Sequence, residues 1–323
     1  MKALALLSGG LDSLLAARLI MDQGIEVIGV SFVTPFFGAE GATMGAEELG
    51  IELVVIDLTD DLFRTIERPK HGYGKHMNPC IDCHALMVRR ASEKMEELGA
   101  DFIVTGEVVG QRPKSQMRFG LGVVERESGI QGRLLRPLSA KLLSPTVPET
   151  EGWIDRERLL GLHGRTRKPQ IELAEHYGIE RYTSPAGGCL LTDENFARAL
   201  KDVKNHGDLS TVDVRLISMG RQFRLSDTGK LIVGRNHAEN ERLFELETEG
   251  VLFVKCVEHK GPVGVFRGEA TPENLEAAAR VVSRYADTDD AETVRVRCWG
   301  ANHEPREMTV EPLTSRRVKE LAI

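Results

Sequence analysis

The sequence predicts an α/β fold with a doubly wound parallel sheet, followed by a smaller α+β domain. Early in the chain, buried-type strands alternate with helical segments; the strands are at residues 3–7, 26–32 and 53–58. Strands that are apolar on both faces are typical of parallel sheets covered by helices, and strand–helix alternation indicates right-handed crossovers. From about residue 213 the pattern changes to short strand-like runs, beginning with Val214–Ile217 and interrupted by one helix at 272–285.

Length and composition set limits on the class of protein. The 323 residues suffice for two domains, which we place at 1–200 and 201–323. No apolar run approaches the roughly 20 residues that cross a bilayer, and Met1-Lys2 leads directly into a strand, so we expect no membrane partner and no signal peptide. Five cysteines without an export signal favour a cytoplasmic location. Because the net charge is −7, any nucleic acid must bind local basic patches.

A phosphate-binding loop is predicted between the first strand and the first helix, at Ser8-Gly9-Gly10-Leu11-Asp12-Ser13. The paired glycines let the backbone approach an anion, and the helix start offers free N–H groups and the positive end of its dipole. Ser8 and Ser13 add hydroxyl donors, while Asp12 can cap the helix or help to hold a metal ion.

This string resembles the PP-loop of the N-type ATP pyrophosphatases. The resemblance implies ATP and Mg²⁺ as cofactors, cleavage between the α and β phosphates, and adenylation of an acceptor oxygen. Ser8, Gly9, Gly10, Asp12 and Ser13 would hold the phosphates and the metal ion. Phe32 lies near the carboxyl end of the second strand, where open α/β sheets bind ligands. It is expected to line an adenine pocket, with a plain loop role as the alternative.

Three cysteines are candidates for chemistry. Cys80 and Cys83 stand at the start of a predicted helix, where the helix dipole and His84 are expected to favour thiolates. Cys189 is the third candidate, in a glycine-bearing loop at 184–192. Such thiols can ligate a metal, form a persulfide-and-disulfide relay, or be incidental. Cys256 and Cys298, in strand-like apolar runs, are interpreted as incidental buried residues.

Ligand count alone leaves the metal open. Structural zinc needs four closed ligands, so His84 or His76 would have to complete the three thiols. A [4Fe–4S] cluster on three cysteines leaves one iron open, which suits the delivery of an exogenous sulfide.

Two further strings resemble tRNA thiolases. Asn78-Pro79-x-x-x-Cys83 is similar to the Asn-Pro-Asp-x-x-Cys motif of bacterial tRNA 2-thiouridine synthases, but Cys80 replaces the Asp. That change resembles the three-cysteine, cluster-dependent tRNA thiolases of archaea and some bacteria. Thr105-Gly106-Glu107-Val108-Val109-Gly110-Gln111, followed by Ser115-Gln116, is similar to a signature of the 4-thiouridine synthetases. The resemblance implies that Thr105, Gly106 and Glu107 help to bind the nucleotide.

Together these resemblances imply an ATP-dependent tRNA sulfurtransferase. A uridine carbonyl oxygen would be adenylated, and sulfur would then replace it with release of AMP. Asp12, Cys80, Cys83 and Cys189 would be the catalytic residues, and the three cysteines would hold a [4Fe–4S] cluster, with zinc or no metal as alternatives. The sulfur donor is sulfide or the persulfide of a cysteine desulfurase.

The second domain carries a different resemblance. Val233-Gly234-Arg235-Asn236, with Asn240 downstream, is similar to the core of the RNA-binding domain of NFACT-type proteins. This similarity implies a tRNA-binding face, against the alternative of a solvated charged surface. Its expected members are Arg221, Arg224, Lys230, Arg235 and Asn236.

Two other functions compete with thiolation. One is a small-molecule PP-loop ligase or amidotransferase, and the other is an RNA-binding factor with a PP-loop but no chemistry. The modified position of the tRNA and the oligomeric state, including a homodimer, are left open by the sequence.

Overall fold

The chain folds as two compact units, Met1–Asp193 and Glu194–Ile323. The computed structural model describes residues 1–183, 189–246, 250–288, 291–301 and 303–323. The sequence-based boundary between residues 200 and 201 lies inside a helix that the second unit contains whole. Within the described ranges, no helix is both long enough and apolar enough to cross a membrane.

The first unit contains a five-stranded parallel sheet with helices, as the sequence predicts. The strands are β1 (Lys2–Leu6), β2 (Glu26–Val33), β3 (Leu53–Asp57), β4 (Phe102–Val104) and β5 (Leu134–Leu135). The helices are α1 (Leu11–Met21), α2 (Glu40–Leu49), α3 (Thr59–Glu67), α4 (Cys80–Ser92), α5 (Met95–Leu98), α6 (Arg118–Ser128), α7 (Val147–Thr150) and α8 (Lys168–Tyr177).

The strand order β3-β2-β1-β4-β5 makes β1 the central strand. Ala3, Leu4 and Ala5 are at most 1% exposed, which explains why this strand has no polar alternation. The chain winds outward through β2 and β3, then crosses to β4 on the other side of β1. Open α/β sheets bind ligands beside such a switch point, at the carboxyl ends of the strands. The segments that follow β1 and β4 therefore form the expected ligand edge.

The second unit is built on a six-stranded antiparallel sheet in the order β11-β10-β8-β9-β7-β6. The strands are β6 (Arg221–Ser226), β7 (Gly229–Val233), β8 (Val251–Cys256), β9 (Gly264–Gly268), β10 (Val294–Gly300) and β11 (His303–Val310). The helices are α9 (Glu194–His206), α10 (Thr211–Ile217), α11 (His237–Phe244), α12 (Pro272–Ser283) and α13 (Ser315–Leu321).

Each face of this sheet has its own apolar cluster. Helix α12 packs on one face, in a cluster that includes Val254 and Val296. Alternate residues such as Phe253 point to the opposite face, where they join a cluster with Leu216 and Leu243 from α10 and α11. The sheet is thus covered by helices on both sides over part of its area.

One predicted strand is a helix. The apolar run 214–217 belongs to α10, because Ser210 caps the N-terminus and accepts a hydrogen bond from the Asp213 N–H at 3.2 Å. A polar cap of this kind contributes about 1 kcal/mol, enough to decide a short ambiguous apolar run.

Candidate nucleotide and sulfur site

The loop after β1 is shaped by a close backbone contact. Gly9 has φ of +76°, and a β-carbon built on it would lie 2.2 Å from the carbonyl carbon and oxygen of Gly41. Gly41 is in the first turn of α2, and Gly10 is the N-cap of α1. The loop therefore adjoins the N-termini of two helices, whose dipoles both favour a negatively charged ligand.

The two serines hold the loop in shape. Ser13 Oγ donates to the Gly10 carbonyl at 2.7 Å, and the Ser8 N–H donates to Ser13 Oγ at 3.3 Å. The Gly10 N–H donates to Ser8 Oγ at 3.3 Å, and the Thr183 N–H donates to the Gly9 carbonyl at 2.8 Å. Because Gly10 has no side chain, the first N–H groups of α1 have no side-chain cap.

Asp12 carries an oxygen that lacks a partner. Its Oδ2 accepts a hydrogen bond from Gln111 Nε2 at 2.8 Å, whereas its Oδ1 is buried without a hydrogen-bond partner in the described part of the chain. Buried carboxylate oxygens are rarely left in this state, and a divalent cation prefers such ligands. Asp12 therefore fits the role of a magnesium ligand beside bound phosphates.

The segment after β4 packs against the same loop. A β-carbon on Gly106 would lie 2.5 Å from the carbonyl carbon of Asp12, so only glycine permits this approach. The next residue, Glu107, is buried and accepts hydrogen bonds from Arg136 Nε and His84 Nδ1, each at 2.9 Å. Thr105 Oγ1 donates to the same carboxylate at 3.1 Å.

Glu107 is a buried carboxylate that stays ionised. Burial by itself raises the pKa of Glu107, but the charges and hydrogen bonds of Arg136 and His84 outweigh it and lower the pKa to about 2. Since the carboxylate can only accept, His84 must carry its proton on Nδ1. Glu107 thus fixes the orientation of the imidazole next to Cys83.

The thiols of Cys80, Cys83 and Cys189 lie within electrostatic range of one another: Cys189 and Cys80 raise the pKa of Cys83, and Cys80 raises the pKa of Cys189. Cys80 and Cys83 occupy the first turn of α4; Cys83 is buried, and the other two are half-buried. Burial is the main cause that raises the pKa of each thiol, that of Cys83 to about 12. The prediction that the helix dipole and His84 favour thiolates is therefore wrong: desolvation dominates, and His84 is paired with Glu107.

The segment 105–114 links the phosphate loop to the surroundings of Cys80. Lys114 and Arg112 lower the pKa of Cys80 against the effect of burial, so their charges lie near its thiol. Arg112 follows directly on Gln111, the partner of Asp12. The segment 105–114 therefore contacts the loop through Gly106 and Gln111 and places positive charge near Cys80.

The fit of a metal centre is incomplete in this arrangement. Three thiols are a suitable donor set for an iron–sulfur cluster. Among the described residues, however, no group of three or more His, Cys, Asp or Glu side chains is placed to hold a metal ion. Residues 184–188 of the predicted glycine-bearing loop, which precede Cys189, lie outside the described residues.

The predicted nucleotide-binding residues differ in their surroundings. Ser8, Gly9, Gly10, Asp12 and Ser13 form the loop itself, and Gly106 contacts it. Thr105 and Glu107 are buried in a polar cluster that positions other groups. Phe32 lies within β2, opposite Ile56, and is 5% exposed. Its contact with adenine stays a prediction.

The predicted RNA-binding residues are engaged inside the second unit. Arg224 donates to Asp202 of α9 at 2.6 Å, and buried Lys230 donates to the same carboxylate at 2.9 Å. Asn236 caps α11. Arg235 pairs with Glu239, although its side chain is 54% exposed, and Arg221 lies over the Tyr285 ring at 4.7 Å. Only the last two keep a charge available near the surface.

Sequence reasoning missed Gly41 and Arg136, and it quoted Gln111 within a signature string without assigning it the contact with Asp12. A signal existed for Gly41, since Gly41 and Gly45 are four residues apart and lie on one face of α2. That face packs closely on its neighbours: a β-carbon on Gly45 would lie 2.6 Å from Leu14 Cδ2 of α1. Arg136 gave no local signal, because it follows β5 whereas its partner Glu107 follows β4, far away in the sequence.

A parallel sheet in this order, with a serine–glycine loop at its switch point, defines the fold as PP-loop ATPase-like. Residues 1–141 match the family described as thiamine biosynthesis protein (ThiI), and residues 220–321 match the NFACT protein RNA binding domain. The first unit is thus related to the ThiI family and the second to an RNA-binding domain.

Curated relatives are tRNA-specific 2-thiouridylases called MnmA. That of Symbiobacterium thermophilum is 27% identical over 228 residues, which cover 62% of this chain and 55% of the relative. That of Clostridium acetobutylicum is 38% identical over 120 residues, which cover 31% of this chain and 34% of the relative. The chain spans about half the length of the first of these relatives.

Among solved structures, a 4-thiouridine synthetase in complex with RNA and ATP is 25% identical. The aligned region covers 57% of this chain and 44% of the synthetase chain, with a TM-score of 0.36.

Proposed function

We propose that the protein is an ATP-dependent tRNA-uridine sulfurtransferase. The observation that carries the proposal is the segment 105–114, which joins the two halves of the chemistry. Gly106 and Gln111 of this segment contact Asp12 of the phosphate loop. Between them Glu107 orients His84, the residue after Cys83, and further along Arg112 and Lys114 place positive charge near Cys80. Matches to the ThiI family and to tRNA 2-thiouridylases support the same reaction class.

In the first step the loop would bind ATP. Backbone N–H groups at the starts of α1 and α2 would bind the phosphates, and Asp12 Oδ1 would ligate Mg²⁺. The uridine carbonyl oxygen attacks the α-phosphorus, the bond to the β-phosphate breaks, and pyrophosphate leaves. Positive charge at the helix ends stabilises the charge that develops on the leaving pyrophosphate.

In the second step sulfur replaces the adenylated oxygen and AMP leaves. We assign Cys80, Cys83 and Cys189 to the handling of sulfur. We favour a [4Fe–4S] cluster over a persulfide relay, because buried Cys83 lacks the exposure that a relay nucleophile needs. Cys80, Cys83 and Cys189 would hold such a cluster, which would supply a binding site for sulfide from the donor. The chain's own contribution would be to keep the three thiols close together and to exclude water around Cys83.

The second unit would bind the tRNA. Its match to the NFACT RNA binding domain supports this role, and the exposed charge of Arg235 is compatible with phosphate contacts. The substrate would then be held by one unit while the other carries the chemistry.

Serine substitution of the three cysteines tests the sulfur site. Cys80→Ser, Cys83→Ser and Cys189→Ser are each expected to abolish thiolation and AMP release while tRNA-dependent pyrophosphate release persists, because adenylation does not need the thiols. Cys256→Ser and Cys298→Ser are matched controls: burial raises the pKa of both thiols to about 11, and they belong to the core of the second unit. Equal loss in the controls would contradict the assignment.

Anaerobic purification tests the way in which the sulfur is held. A cluster gives broad brown absorbance that each of the three substitutions removes and both controls keep. A colourless protein that is active with a persulfide donor would contradict the cluster and support the persulfide relay.

Mass spectrometry of tRNA nucleosides tests the function itself. Deletion of the gene is expected to remove one thiolated uridine, and the wild-type gene is expected to restore it. An unchanged set of thiolated nucleosides in the deletion strain would refute the thiolase and leave a PP-loop RNA-binding factor as the alternative.

A further inference from the structure

Three aromatic rings cluster on the sheet of the second unit. Phe253 of β8 and Trp299 of β10 have ring centroids 5.6 Å apart, and Phe244 at the end of α11 lies 5.6 Å from Phe253 and 6.4 Å from Trp299. The interplanar angles are 28–34°, so the rings are nearly parallel. Phe253 is buried beneath, while Phe244 is 39% exposed. An exposed aromatic surface thus rests on a rigid apolar base.

Two cations lie on the same face of the sheet. In the β8–β10 register Trp299 pairs with Phe253, and Arg297 pairs with Lys255. Residues two apart on a strand point to the same side, so the cations continue the aromatic surface along the sheet. Lys255 Nζ is 5.7 Å from the Phe244 ring centroid, and Arg297 Cζ is 5.9 Å from that of Trp299. We call these five residues the aromatic platform.

The charges of the platform are available to a ligand. Across the described residues, neither Lys255 nor Arg297 has a carboxylate within ion-pair distance, whereas the nearby acids Glu258 and Glu307 pair with Arg295. A groove of about 560 Å³ adjoins the platform. Its lining includes the cations Lys255, Lys260 and Arg297, the Trp299 ring, and the acids Glu258 and Glu307 that pair with Arg295.

We propose that the aromatic platform binds an unpaired nucleotide of an RNA strand, with the base stacked on Phe244 and Trp299 and the backbone phosphate near Lys255 and Arg297. Stacking on aromatic rings flanked by cations is how protein sheets bind single-stranded RNA, and every base has a face that can stack. A paired duplex hides these faces. This inference rests on the proposed function in that it takes RNA as the partner, and it gives the binding surface to residues other than Arg224 and Asn236.

Fluorescence of Trp299 provides a direct test. The chain has two tryptophans, so the full-length Trp153→Phe protein reports on Trp299 alone. Addition of a short oligouridylate or of unmodified tRNA is expected to quench its emission, because a stacked base lies in contact with the indole. Emission that does not change while the RNA binds would overturn the proposal.

Affinity measurements with variants provide the second test. Phe244→Ala is expected to weaken oligouridylate binding about tenfold, since one base loses its stacking partner. Lys255→Ala is expected to lower the slope of log affinity against log salt by about 0.7, as the loss of one phosphate contact does for a single strand. Arg316→Ala is the matched control: this arginine is 90% exposed in α13, and its removal should change neither quantity.

The outcomes separate this proposal from the proposed function. If Phe244→Ala and Lys255→Ala bind RNA like the wild type, the platform serves a protein partner and the inference is wrong, even where tRNA thiolation continues. If the variants lose RNA affinity as expected but no tRNA nucleoside depends on the gene, the platform stands and the thiolase is refuted. Thermal unfolding of each variant checks that the sheet is intact.

Discussion

Gly9→Ala is expected to abolish ATP-dependent chemistry, with tRNA-dependent AMP formation reduced about a hundredfold or more. The added β-carbon would lie 2.2 Å from the Gly41 carbonyl carbon and oxygen, where no flexible side chain can move aside. Either the loop or the start of α2 must shift by an ångström or so, and a displacement of that size moves the phosphates out of line for attack. The measurement is AMP release with saturating tRNA, together with ATP affinity.

Gly24→Ala controls for backbone strain. Gly24 has φ of +79°, almost the value at Gly9, but a β-carbon there meets nothing within 4 Å. Both substitutions carry the left-handed strain of about 1–2 kcal/mol, and only one carries the clash. We therefore expect Gly24→Ala to lower thermal stability slightly and to leave AMP formation unchanged. If both variants lose activity equally, strain and not the contact with α2 explains the loss.

The phosphate loop was predictable because its signal is local. An apolar strand, two glycines and a helix start follow one another within a few residues, so local pattern alone places Ser8–Ser13 at the ligand edge. The prediction of a parallel sheet then required only the alternation of strands and helices. By contrast β11 was missed, because its first five residues, from position 303, are exposed and show no apolar alternation.

Contacts between residues far apart in the sequence explain which features of the site could not be predicted from it. The predicted roles of Arg224 and Lys230 depend on whether an acid lies nearby, and Asp202 is more than twenty residues away on α9. The thiol pKa values were misjudged for the same reason: dipole and neighbour are visible in the sequence, whereas burial is not. The platform joins Phe244, Phe253 and Trp299, which come from three separate elements, so only the fold shows it.

The buried ion pair of Glu107 and Arg136 is a second point where a single change has a large expected effect. Both side chains are under a tenth exposed, and Arg136 also donates to the Leu121 carbonyl at 3.2 Å and lies 3.5 Å from Glu125. A buried pair contributes little net stability when intact, but removing one partner leaves the other charge buried and unpaired. The pair therefore affects stability chiefly when one partner is removed, because the remaining charge then stays buried without a counter-charge.

Arg136→Met is expected to lower the free energy of unfolding by about 3–5 kcal/mol, measured by urea denaturation. The matched control is Arg181→Met, which breaks the pair with Glu48 at 2.8 Å; since the Arg181 side chain is 54% exposed, its loss should lower stability far less than Arg136→Met does. Similar losses of stability in the two variants would show that burial does not determine the cost of breaking the Glu107–Arg136 pair.

The pH dependence of stability gives an independent measure of the same carboxylate. The pKa of Glu107 falls from an ordinary value of 4.5 to about 2 on folding, so its ionised form is favoured in the native state. The stability that this provides is complete above about pH 4.5 and is lost as the pH falls towards 2. Glu107→Gln removes the titrating group, so the variant is expected to show a shallower loss of stability across that window, even though it is less stable at neutral pH. An unchanged acid slope would mean that other carboxylates, and not this one, couple folding of the first unit to protons.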